Sequence, residues 1–102
     1  MPKKIILYNL ADNVTDEQFK DYVVKEKGPL ISSLPEVKKY ELVKITSAAG
    51  GKIPYRYVGI IHVSSLEAFD QKAGKTQKYQ DFLKKFMPMA KDLVMFSGEE
   101  IY

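Results

Sequence analysis

Apolar and polar positions change period several times along this chain, and each change marks an element. Lys4 to Leu10 is a short, continuous run of branched and aromatic residues, the pattern of a strand buried on both faces. From Val14 the period becomes helical: Thr15 can cap an N-terminus, Gln18 completes a capping box, and Val14 can staple onto Phe19. Phe19, Tyr22, Val23, Leu30 and Ile31 then form one apolar face, with Asp16 and Glu17 in the first turn where the helix dipole favours them. Gly28-Pro29 removes a backbone donor, which predicts a kink, or an end and restart, before Leu34-Pro35 closes the segment. Val37 to Ile45 reads as a second strand with one partly exposed face, and Ser47 to Pro54, with Gly50 and Gly51, as a loop returning hairpin-like into a third strand at Tyr55 to Val63. That strand is the most apolar in its second half and is expected to be central. Ser64 with Glu67 predicts a capped short helix to about Ala73, stopped by Gly74. Thr76 caps a second helix whose apolar face is Tyr79, Phe82, Leu83 and Phe86, ending at Pro88, and Leu93 to Phe96 is a fourth strand.

The order is β-α-β-β-α-β, so the expected fold class is α+β, ferredoxin-like, with a four-stranded antiparallel sheet carrying both helices on one face. Strands alternate their side chains, and a sheet covered on one side only is expected to be polar on the other. Here both parities of the first, third and fourth strands are apolar: Ile5/Leu7 as well as Ile6/Tyr8/Leu10, Val58/Ile60 as well as Tyr57/Gly59/Ile61, and Val94/Phe96 as well as Leu93/Met95. The second face therefore needs a cover, and a second copy of the same sheet is the economical one. The expectation is a homodimer whose two sheets pack into a barrel-like core, built from one domain over residues 1–102, since no repeat, linker or low-complexity tract interrupts the chain.

Composition narrows the chemistry. At 102 residues and 45% apolar, one core is affordable and disorder is excluded. With no cysteine, disulfides, thiolate nucleophiles and Cys-ligated metals are excluded, and a cytoplasmic location is the natural expectation. No apolar run is long enough to form a signal-peptide core or to span a bilayer, so no membrane association is expected. The net charge is +3, but Arg56 is the only arginine among the 16 basic residues, and the lysines lie close to nearly equal numbers of acids. That balance describes a solvated surface and disfavours nucleic acid as a partner.

Two families share the strand order. Ile5-Ile6-Leu7-Tyr8-Asn9-Leu10, continuing Val14-Thr15-Asp16-Glu17-Gln18-Phe19, resembles the first strand and helix start of the RNA-recognition motif over about a fifth of the chain. That family stacks bases on third-strand aromatics, and Arg56-Tyr57-Val58-Gly59-Ile60-Ile61-His62-Val63 supplies aliphatics in their place. The second resemblance covers nearly the whole chain. Lys27-Gly28-Pro29-Leu30, Leu34-Pro35 and Val37-Lys38-Lys39-Tyr40, with Tyr57-Val58-Gly59-Ile60 and Ser65-Leu66-Glu67-Ala68-Phe69, are similar to the dimeric α+β barrel superfamily, in particular its EthD-like and RedY/HapK-like branches. One departure matters: EthD-like sequences commonly place a His two residues before the proline of the first helix, and this chain has Lys27 there, so the family's acid–base role is not carried over to that position. The resemblance implies a homodimer with a pocket between sheet and helices for a small hydrophobic or aromatic ligand. It also implies cofactor-independent acid–base chemistry of the cyclase, isomerase or monooxygenase kind, in a setting of secondary metabolism. The alternative is a binding or interaction module without catalysis.

Among the side chains, His62 alone has an ordinary pKa near neutrality, so a conventional general base begins there. Tyr8, Tyr40 and Tyr57 can orient a carbonyl or phenol with their hydroxyls, Asn9 adds an amide at the end of the first strand, and Lys27 adds a cation or, if desolvated, an amine able to form a Schiff base. Parity puts His62 on the face opposite Tyr57, so one pocket cannot collect every candidate. No metal site is expected from one His and scattered carboxylates, and no cofactor from a chain without a glycine-rich loop between strand and helix.

Overall fold

The computed structural model describes residues Met1–Tyr102 and has the expected element order. Strand β1 (Pro2–Leu10) leads into helix α1 (Asp16–Tyr22), which opens on the predicted capping box: the Gln18 amide donates to Thr15 Oγ1 at 3.1 Å and the Thr15 amide to Gln18 Oε1 at 3.0 Å. Gly28-Pro29 neither stops nor sharply breaks the helix. Residues Val23–Lys27 instead widen into a π-helical turn, and helix α2 (Gly28–Ser32) continues from it. Pro29 has no N–H to give, and the chain accommodates the missing donor by letting the Gly28 amide reach back five residues to the Val23 carbonyl.

Strands β2 (Val37–Lys44) and β3 (Tyr57–Val63) pair antiparallel, and the sheet order is β2-β3-β1-β4, with β3 and β1 in the middle as their apolar content requires. β3 starts two residues later than its sequence suggests. Helix α3 (Leu66–Gln71) is capped by Ser65, whose hydroxyl accepts from the Ala68 amide at 2.8 Å, rather than by Ser64, whose own amide is engaged with the Glu36 carbonyl. Thr76 caps helix α4 (Gln77–Phe86) as predicted. Strand β4 (Ala90–Glu99) is far longer than the apolar run Leu93–Phe96. It follows β1 from Pro2↔Glu99 to Leu10↔Ala90, with an irregularity beside Tyr8, so backbone pairing to a long neighbour extends it through Lys91, Asp92 and Ser97. No helix is long and apolar enough to cross a membrane.

Register divides the sheet's side chains between two faces. Ile6↔Gly59, Tyr8↔Tyr57 and Tyr40↔Ile61 lie under the helices, where Tyr8, Phe19, Ile61 and Val63 are the most completely buried large side chains. Ile5↔Ile60, Leu7↔Val58, Ile5↔Phe96 and Leu7↔Val94 lie on the other face, together with Val43 and His62. No element of the chain covers this second face: Phe96 stays 53% and Val43 46% exposed.

Candidate functional site

The π-helical turn decides where Lys27 points. Positions 19, 23, 27 and 31 are spaced four apart, and the turn keeps Lys27 on the inward side with Phe19 and Ile31 while Val24, Lys25 and Glu26 face solvent. Lys27 is 4% exposed. Its Nζ lies 4.3 Å from the ring centroid of Phe86, 5.1 Å from Tyr8 and 5.5 Å from Phe19 and Tyr40, and it donates one hydrogen bond, to Tyr8 Oη at 3.0 Å. No carboxylate reaches it. Loss of hydration therefore draws the Lys27 amine down from 10.5 to about 7. The surrounding ring faces attract an ammonium and pull the other way, but they offer its N–H groups no acceptor, so desolvation prevails.

Tyr40 completes the site. Its hydroxyl is buried without a hydrogen-bond partner, across from Gly59, which leaves the sheet floor there without a side chain. Burial pushes the phenols of Tyr8 and Tyr40 well above their ordinary value, so both stay neutral and can donate as well as accept. Lys27, Tyr8 and Tyr40 line an enclosed cavity of about 20 Å³, room for roughly one water. Beside it a cleft of about 470 Å³ opens between β4 and the α3–α4 side, with Lys4, Asp70 and Ser97 on its walls. Ile6, Tyr79, Leu83 and Met95 line both spaces and form the partition between them. Met95 is unbranched and half exposed, and thus the easiest of the four to move.

The remaining candidates lie elsewhere. Tyr57 stacks on Tyr8 at 5.7 Å, but its hydroxyl leaves the core and donates to Asp16 Oδ1 at 2.5 Å, an interaction that with Lys44 holds the Asp16 carboxyl below its usual range. Asn9 is a pin for the β2–β3 loop: Oδ1 accepts from the Arg56 amide at 2.8 Å, while Nδ2 donates to the Pro54 carbonyl at 3.0 Å and to Asp92 at 3.2 Å. This pin explains why β3 begins only at Tyr57. His62 is on the helix-free face, its Nε2 2.8 Å from Glu41 Oε1, and that contact followed by Lys39 lowers the Glu41 carboxyl. Phe19 and Phe86, read from sequence as core packing, turn out to wall the amine.

Residues 2–101 match the family model of the REDY-like protein HapK. The chain belongs to this family. No curated protein sequence matches it. Among solved structures, HapK from Hahella chejuensis superposes with a TM-score of 0.82 at 23% identity, covering 99% of this chain and 93% of that one. An EthD family protein from Bacillus halodurans gives 0.81 at 22% identity over 99% of both chains, and a hydroxynitrile lyase from Passiflora edulis 0.81 at 16% identity over 99% and 95%. A dimeric ferredoxin-like protein from Thermobifida fusca gives 0.76 at 21% identity over 97% and 90%. At these identities the likenesses establish the fold.

In this HapK-family chain the π-helical turn depends on Gly28. A Cβ at Gly28 would stand 2.9 Å from the Val23 carbonyl oxygen, the acceptor of Gly28's own amide. Gly28→Ala is therefore expected to lose about 1 to 3 kcal/mol in urea unfolding, because backbone must move against backbone. An unchanged midpoint would show that the turn relaxes freely.

Proposed function

We propose that this HapK-family protein acts as a homodimer, each protomer binding a small, largely apolar metabolite with a carbonyl or phenol between its sheet and helices. There it performs a proton-transfer step without a cofactor. The single observation that carries this reading is the buried amine of Lys27, uncompensated by any carboxylate, in one aromatic cavity with the unpartnered hydroxyl of Tyr40. A group with an ordinary pKa of 10.5 brought near 7 is matched to accepting a proton at neutral pH. Tyr40 Oη supplies the donor that orients a carbonyl or phenolate oxygen, and Tyr8 Oη holds the amine. Lys27 thus takes the base role expected of His62, which pairs with Glu41 on the face where the second copy packs.

Calorimetric titration with naphthol, a small aromatic alcohol, tests the site. Tyr40→Phe is expected to weaken binding about tenfold, the worth of one buried hydrogen bond, while His62→Ala leaves the affinity unchanged. The opposite pattern, with Tyr40→Phe silent and His62→Ala abolishing binding, would move the site to the other face. The alternative reading is a binding module without turnover. Deuterium exchange at the α-carbon of acetophenone separates the two: an enzyme of the proposed kind accelerates it, and Lys27→Met removes the acceleration.

A further inference from the structure

We propose that Lys27 is a nucleophile whose amine condenses with an aldehyde or ketone carbonyl of the ligand, forming an imine inside the cavity. This rests on the binding site and the proton-free amine of the reading above and narrows the ligand to one substrate class, on which the lone pair goes to the carbonyl carbon instead of to a proton. A lysine that only binds or stabilises an anion would gain from staying charged, yet burial opposes that and no carboxylate offsets it. Its one hydrogen-bond partner is the neutral Tyr8 hydroxyl, and the other titratable side chain packed on it is Tyr40, whose ring centroid lies 5.5 Å from Nζ. Other lysines differ in kind: Lys3, Lys44, Lys85 and Lys91 each hold a carboxylate within 2.6 to 2.9 Å. The free lone pair that imine formation requires is available at Lys27, whose amine is brought down to about 7.

The hydroxyls provide the proton handling. The Nζ lone pair attacks the carbonyl carbon, the C=O π pair moves to oxygen, and that oxygen takes a proton from the Tyr40 hydroxyl, which is buried with nothing else to bond. Of the two protons on the attacking nitrogen, one passes through Tyr8 Oη, 3.0 Å away, to the carbinol oxygen, and the C–O bond breaks as the nitrogen lone pair forms C=N; the other, carried by the protonated imine, returns to Tyr40 and restores its hydroxyl. Oxygen leaves as water and the C=N bond forms, so carbonyl and amine give imine and water with no change of oxidation state. The protonated imine is a cation, and the faces of Phe86, Tyr8, Phe19 and Tyr40 that surround Nζ suit a delocalised cation at that point. The body of the ligand occupies the cleft beyond Met95 and Leu83.

The test is reductive trapping of the whole protein with benzaldehyde and cyanoborohydride at neutral pH, followed by peptide mapping. One benzyl group is expected on Lys27, introduced roughly tenfold or more faster than on any exposed lysine, and naphthol should compete with it. Mapping the unsubstituted protein makes the result independent of whether Lys27→Met folds. Benzyl groups spread over exposed lysines with Lys27 unmodified, while naphthol still binds, would overturn the imine and leave the binding site standing. Failure of both labelling and naphthol binding would overturn the site itself.

Discussion

Lys27→Met is expected to make the protein more stable at pH 7, by about 2 kcal/mol, although it deletes a buried hydrogen bond. The sign follows from linkage. The folded amine titrates at about 7 and the unfolded one at 10.5, so above 10.5 neither state holds the proton and folding carries no penalty. As the pH falls from there the unfolded chain binds the proton first, and stability is lost down to about 7, below which both states are charged and the loss is complete. Over that window the penalty reaches roughly 5 kcal/mol. Methionine removes it, at the cost of a lone Tyr8 hydroxyl and the ring–cation contacts, about 1 to 3 kcal/mol for the hydroxyl alone. Urea unfolding at several pH values between 7 and 10 should show stability rising in the native protein and flat in Lys27→Met. Above about 10 the buried phenols of Tyr8 and Tyr40 act oppositely, because the unfolded tyrosines ionise first, so the comparison belongs below that point. A Lys27→Met protein that is less stable at neutral pH, with the same slope as the native chain, would mean that the amine is well solvated.

Ile60→Glu is expected to convert a dimer into a folded monomer. Ile60 sits opposite Ile5 on one side and Glu41 on the other, in the middle of the uncovered face with Leu7, Val58, Val94 and Phe96. In a lone chain the new carboxylate faces water and the like charge of Glu41 opposite it, a cost of about 1 kcal/mol or less. Packed against a second sheet it is an unpaired buried charge, costing roughly 3 kcal/mol or more, and two-fold symmetry presents it twice. The dimer dissociation constant should rise at least about a thousandfold. Light scattering after size exclusion reads the change, with circular dichroism confirming that the fold persists. A dimer that survives Ile60→Glu at micromolar concentration would use another surface, the edge of β2 or β4.

Much of the fold was legible because it is encoded locally. Thr15 with Gln18, and Thr76, announce their helices by hydrogen bonds that span three residues, and both-face apolarity of Ile5–Leu10 and Val58–Val63 is visible as composition. What could not be read depends on partners distant in sequence. β4 owes its length to β1, the late start of β3 to Asn9, and the choice of Ser65 over Ser64 to Glu36. Parity correctly separated His62 from Tyr57, but only the register Tyr8↔Tyr57 shows which face Tyr8 joins. Lys27 was the hardest case. Its spacing from Phe19 put it on the apolar side of the helix pattern, yet a lysine there ordinarily extends its stem and keeps its head in water. Here the head is enclosed by rings from α1, β1, β2 and α4, an arrangement no single segment contains.

The most direct test is an NMR pH titration of the protein carrying 13C at the lysine ε-carbons, with Lys27 assigned by its loss in Lys27→Met. The structure predicts one lysine signal with a midpoint near 7, shifted when naphthol is added. A spectrum in which every lysine titrates at its ordinary value, about 10.4, would contradict the desolvated amine on which the proposed chemistry depends.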